Sequence, residues 1–102
     1  MSDARVDVVI VGGGPAGLSA ALVLGRCRRT VAVLDDVHYR NGESRARMHG
    51  FITRDGTTPD EFRALARADV ARYPTVRIEQ ETVVDAKRID AGFAVLSGPG
   101  PA

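Results

Sequence analysis

The first third of the chain carries two different hydrophobic periods. Residues 6–11, Val-Asp-Val-Val-Ile-Val, form a short β-branched run that stops at three glycines. Its length and composition predict a strand covered on both faces, as in a parallel sheet. From Pro15 to about Arg26 the spacing lengthens, with Leu18, Ala21, Leu22 and Gly25 along one stripe at helical intervals. Arg26, Arg28 and Arg29 gather where that helix ends, and terminal carbonyls favour cations there. A second β-branched run over residues 30–34 ends in Asp35-Asp36. The chain therefore opens β-α-β.

Residues 36–57 have little periodicity and many polar groups, among them His38, Arg40, Asn41, Arg45, Arg47, His49, Arg54 and Asp55. A connection of this length inside a compact domain marks a functional or disordered segment. Thr58-Pro59-Asp60-Glu61 then announces a helix, with Thr58 as N-cap, Pro59 at the first helical position and Glu61 three residues after the cap. Phe62, Leu65, Ala66, Val70 and Tyr73 supply its apolar stripe, and Pro74 closes it. Val76, Ile78 and Gln80 alternate with Arg77, Glu79 and Glu81, which predicts a strand with one exposed face. Residues 82–88 and 93–96 read as two further strands joined at Asp90-Ala91-Gly92, completing a small antiparallel meander over residues 76–96. Residues 97–102, Ser-Gly-Pro-Gly-Pro-Ala, offer nothing to pack and are expected to be a flexible tail.

Composition narrows the possible functions. Fourteen Lys and Arg against 13 Asp and Glu leave a net charge of +1, too small to draw nucleic acid or an acidic membrane surface. The one cysteine, Cys27, cannot form an internal disulfide. No stretch reads as a signal peptide or reaches the roughly 20 apolar residues of a membrane span, so a reducing cytoplasm is expected. At 102 residues the chain supports one small domain and not a complete two-domain enzyme.

The informative segment is Gly12-Gly13-Gly14-Pro15-Ala16-Gly17, which holds the spacing G-x-G-x-x-G at Gly12, Gly14 and Gly17. Gly12 permits a tight turn out of the strand, Gly14 lets a pyrophosphate approach the backbone, and Gly17 lets the helix lie close to the strand. Free N–H groups in the first helical turn, with the helix dipole, make an anion site there. Asp35 falls 21 residues after Gly14, where an acidic residue is expected to accept from ribose hydroxyls and to repel a 2′-phosphate. FAD or NAD thus fits better than NADP. Asp36 is the neighbouring candidate if the strand slips by one residue.

Other constellations carry less. Cys27 sits at a helix end, where the dipole disfavours a thiolate. His38 and His49 lack the spacing of a metal pair, so no metal site is expected. Ser19 and Ser44 have no partnered base, which leaves hydrolase chemistry without support. Arg40, Arg45, Arg47 and Arg54 suit either cofactor phosphates or solvent.

On these residues the chain resembles the N-terminal FAD-binding portion of bacterial thioredoxin-reductase-like flavoproteins, within the pyridine nucleotide-disulfide oxidoreductase family. The resemblance is carried by Asp7 through Ala21 around the glycine turn, by Leu34-Asp35 and Arg40-Asn41, and by Met48-His49-Gly50-Phe51 with Arg54-Asp55-Gly56. It implies a Rossmann-like α/β fold, the first half of an FAD/NAD(P)-binding domain, with a parallel sheet core and domain bounds of 1–96. It also implies FAD as ligand, its pyrophosphate at Gly12, Gly14, Pro15, Ala16 and Gly17 and its ribose on Asp35. Asn41 would contact the pyrophosphate or ribityl region, His49 would lie near the isoalloxazine, and backbone around Val83 would meet the adenine edge. His49 also reads as an ordinary polar loop residue.

In such enzymes NAD(P)H reduces the flavin, which reduces a disulfide or another acceptor. This sequence has no second glycine-rich turn and no Cys-x-x-Cys pair, so it reads as a truncated first portion, not catalytically competent alone. It would pair with a complementing polypeptide or self-associate through an open sheet edge. The competing readings are a non-enzymatic module binding NAD or FAD, and a gene remnant.

Overall fold

A computed structural model describes residues 5–36 and 49–99. Strand β1 (Val8–Val11) turns through the glycines into helix α1 (Pro15–Arg26), which returns the chain to β2 (Val31–Leu34). Helix α2 (Pro59–Val70) and β3 (Val76–Glu79) repeat the unit, and β4 (Glu81–Ile89) and β5 (Gly92–Pro99) follow as a hairpin. β2 lies between β1 and β3, parallel to both.

The register sets the core. Val8, Val31 and Val76 form one row across the sheet, and Ile10, Val33 and Ile78 another. Both rows pack with Leu18 and Ala21 of α1 and with Val70 of α2, and burying each valine completely contributes about 1.5 to 3 kcal/mol. The central strand β2 is buried along its whole length, which is why it reads as uninterrupted apolar sequence. On the opposite face Ala32 and Leu34 are buried, whereas Val9 and Val11 of β1 are 37% and 63% exposed. β4 packs against β2. At the amino end of the sheet the Asp7 N–H donates to Thr30 Oγ1 at 2.8 Å, and Asp7 Oδ2 accepts from the Thr30 N–H at 3.0 Å. That backbone donor, seconded by the Thr30 hydroxyl, holds the Asp7 carboxyl below the usual carboxylate range.

Two expectations need correction. Residues 76–79 do not belong to an antiparallel meander: β3 pairs in parallel with β2, and only β4 and β5 are antiparallel. The final strand does not stop at Leu96 either. Residues 97–99 pair with Glu81, Thr82 and Val83, because a ladder needs only backbone groups and so recruits Ser-Gly-Pro despite its lack of packing side chains. Residues 100–102 lie outside the described residues.

The start of α2 follows the sequence signal. Thr58 Oγ1 accepts from the Glu61 N–H at 3.2 Å while Glu61 Oε1 accepts from the Thr58 N–H at 3.0 Å, a capping box with Pro59 in the first turn. Thr58→Ala is expected to cost about 1 kcal/mol of stability, read as a lowered urea midpoint at unchanged slope. No helix among the described residues is long and apolar enough to cross a membrane.

Candidate functional site

The glycine turn forms at the carboxyl end of the parallel sheet. The Gly12 N–H donates to the Leu34 carbonyl at 2.8 Å, which carries the β1–β2 pairing one residue into the turn. Gly12 then takes φ +102°, a left-handed conformation that side chains resist. Gly17 lies so close beneath it that a Cβ there would fall 2.1 Å from the Gly12 carbonyl oxygen and 3.1 Å from Ile10 Cγ2. Helix α1 can lie against the turn only because residue 17 has no side chain.

Gly14 is the N-cap of α1. A Cβ at Gly14 would meet no heavy atom within 4 Å, so the backbone is open on that side. No side chain caps α1, its first turn holds no acidic residue, and Pro15 occupies the first helical position. Ala16 is exposed. The partial positive charge of the helix terminus is left without a carboxylate of its own helix.

Asp35 supplies the opposite charge from across the turn. It is 3% exposed, and its Oδ1 accepts from the Gly13 N–H at 3.1 Å. Its Oδ2 accepts from Arg67 Nη2 of α2 at 2.7 Å. Asp36 aims elsewhere, its Oδ2 accepting from the Thr82 hydroxyl of β4 at 2.8 Å. The two neighbouring carboxylates are divided between the glycine turn and the hairpin, and Asp35 is the one at the turn.

A third acidic group lies one step further out. The Asp35 N–H donates to the Glu79 carbonyl at 2.9 Å, placing the end of β3 beside the site. A hydrogen bond from the Glu79 carboxyl to Glu81, followed by partial burial, raises the Glu79 pKa above the ordinary value. Glu81 is lowered, first by the Ser97 hydroxyl and then by Glu79. Val83 is half-buried in β4 beside the register irregularity between Val83 and Asp85.

His49 is exposed, with Nδ1 3.4 Å from Asp55 Oδ1, and the same oxygen accepts from the Gly50 N–H at 2.8 Å. Phe51 stacks at a tilt on Phe62 of α2, their centroids 5.1 Å apart. His49 thus belongs to a turn packed on the start of α2, and no described contact joins it to the glycines. Arg54 Nη1 donates to the Thr53 carbonyl. Asn41 lies outside the described residues, as do His38, Arg40, Ser44, Arg45 and Arg47.

Two residues of the site escaped the sequence reading. Gly13 occupies a position the G-x-G-x-x-G spacing leaves unspecified, yet a Cβ there would sit 2.8 Å from Asp35 Cγ. An unbroken run of three glycines was the available signal. Arg67 had none, because it lies 32 residues from Asp35 in sequence and reads as solvated helix charge.

A family model described as an FAD binding domain matches residues 7–94. The chain belongs to the FAD-binding domain family. It is 44% identical over 85 residues to a probable thioredoxin reductase of Arthroderma benhamiae, covering 83% of this chain and 21% of that protein. It is 45% identical over 94 residues to thioredoxin reductase tcpT of Claviceps purpurea, covering 90% of this chain and 29% of that protein. Among solved structures, the putative thioredoxin reductase TrxB of Bacillus anthracis superposes with a TM-score of 0.84 at 40% identity, over 91% of this chain and 31% of that one. This FAD-binding domain is therefore thioredoxin-reductase-like in sequence and fold, and the likeness reaches fungal proteins as well as bacterial ones. It spans about a fifth to a third of the length of the proteins it matches.

Proposed function

We propose that the glycine turn and Asp35 form the pyrophosphate and ribose end of an FAD site, in the FAD-binding portion of a thioredoxin-reductase-like NAD(P)H-dependent oxidoreductase. The observation that carries this reading is the buried Asp35 carboxylate, tied to the Gly13 N–H beside a helix terminus with no side-chain cap and an open Gly14. The donors and acceptors suit a dinucleotide. N–H groups at the head of α1 and the bare backbone at Gly14 receive a diphosphate, and the carboxylate receives hydroxyl donors.

In this reading Gly12, Gly14, Pro15, Ala16 and Gly17 line the pyrophosphate, Asp35 holds the ribose, and backbone near Val83 meets the adenine edge. Asn41 serves the pyrophosphate or ribityl region, and His49, in the turn beside α2, serves the isoalloxazine end. Bound FAD would supply hydride acceptance, and the chain's part is to bind and orient it. The exposed Val9 and Val11 of β1, at a sheet edge, support pairing with a complementing polypeptide or a second copy in a cytoplasmic setting.

These 102 residues alone bind FAD without turning over NAD(P)H, because hydride transfer requires a nicotinamide held against the flavin and disulfide reduction requires a thiol pair. Cys27 is exposed after α1 and is the chain's one cysteine. Flavin fluorescence titration with FAD, with NAD in parallel, followed by an NAD(P)H oxidation assay on a disulfide substrate, tests both halves of the proposal. Saturable FAD binding without turnover is expected. Saturable NAD binding without FAD binding would replace this reading with a non-enzymatic module, and disulfide-dependent turnover by the chain alone would refute the second half.

A further inference from the structure

We propose that Arg67 is a positioning residue for the adenosine ribose, acting through Asp35. This inference rests on the FAD reading above. An aspartate side chain turns readily about its terminal torsion, whose minimum is broad and two-fold, so one contact leaves the plane of the carboxylate loosely set. Here both oxygens are held, by donors from two different elements: Oδ1 by the Gly13 N–H at 3.1 Å and Oδ2 by Arg67 Nη2 at 2.7 Å. These two contacts, one on each oxygen, fix the plane of the carboxylate beside the glycine turn.

The geometry around Arg67 favours this role over simple charge pairing. Its side chain is 38% exposed while that of Asp35 is 4% exposed, so the helix residue reaches inward to a carboxylate already seated by the turn. Its buried Nε has no hydrogen-bond partner, which means that the guanidinium gives up water at this nitrogen and is anchored through its contact with Asp35. Gly13 makes the arrangement possible, since a side chain there would displace the carboxylate that Arg67 holds. Without Arg67, Asp35 Oδ2 would lose its guanidinium donor.

The test uses the full chain and compares wild type, Arg67→Gln, Arg67→Lys and Asp35→Ala, each checked for folding by circular dichroism. The probes are FAD, FMN, ADP and 2′-deoxy-ADP. Wild type is expected to prefer ADP to 2′-deoxy-ADP. Arg67→Gln should weaken FAD on the order of tenfold, the scale of one charge-assisted hydrogen bond, and bring the ADP to 2′-deoxy-ADP ratio towards one. FMN, which lacks the adenosine, should respond equally little in every variant. Arg67→Lys, which keeps a donor and the charge, should restore part of the ratio, and Arg67→Gln added to Asp35→Ala should change nothing further. An unchanged ratio in Arg67→Gln, whether or not FAD affinity falls, overturns the positioning role while the FAD reading stands. Failure of wild type to bind FAD overturns both.

Discussion

Gly17→Ala is expected to destabilise the domain by about 3 kcal/mol and to remove measurable FAD binding with it. The added methyl would fall 2.1 Å from the Gly12 carbonyl oxygen, and backbone offers no flexible end to swing aside. Relief requires either lifting α1 away from the turn or breaking the bond from the Gly12 N–H to Leu34. Gly14→Ala supplies the contrast, because its methyl enters open space. Stability should change little there, while FAD affinity falls as the methyl occupies the approach proposed for the pyrophosphate. Urea unfolding of both variants, with flavin titration of each, separates the two effects. Equal loss of stability in the two would contradict the helix-to-turn packing described above.

The second large effect is expected at Asp35. Asp35→Ala should weaken FAD by roughly 1.5 to 3 kcal/mol for each charge-assisted hydrogen bond to the ribose that is lost, which is about ten- to a hundredfold per bond. It also deprives the Gly13 N–H and Arg67 of their shared acceptor. Asp36→Ala removes a contact to Thr82 and should leave FAD affinity close to wild type. Calorimetric titration of both variants checks the assignment, and similar losses would place the ribose on neither carboxylate in particular.

The parts legible in the sequence were those whose physics is local. The β-branched run before the glycines, the Leu18 and Ala21 stripe, and Thr58-Pro59 with Glu61 each specify an element within a few residues, and β1, α1, β2 and α2 formed accordingly. β3 was legible as a strand and not as a parallel one. Alternation of Val76 and Ile78 with Arg77 and Glu79 fits either sheet, and the choice was made by Val31 and Val33, far away in sequence. The end of β5 was hidden because pairing through backbone leaves no mark on Ser97 or Gly98. At the site, the glycine spacing marked the turn and the strand end marked Asp35. The guanidinium that holds Asp35 comes from a helix whose arginines look alike in sequence, so only the tertiary fold distinguishes Arg67 from Arg63, which pairs with Asp60 on its own helix.

The dipeptide Asp35-Asp36 collects contacts of increasing reach, to Gly13, Arg67 and Thr82 across 22, 32 and 46 residues of chain. Closing a loop costs entropy that grows with its length, so these ties are ordered in folding, the β-α-β contact cheapest and the hairpin contact dearest. The Asp35 carboxylate therefore receives its Arg67 donor only when α2 is in place. A ligand that requires that carboxylate in its paired form binds a fold in which α2 is docked and not the opening β-α-β unit alone, and by mass action it draws α2 along with that unit towards the native state.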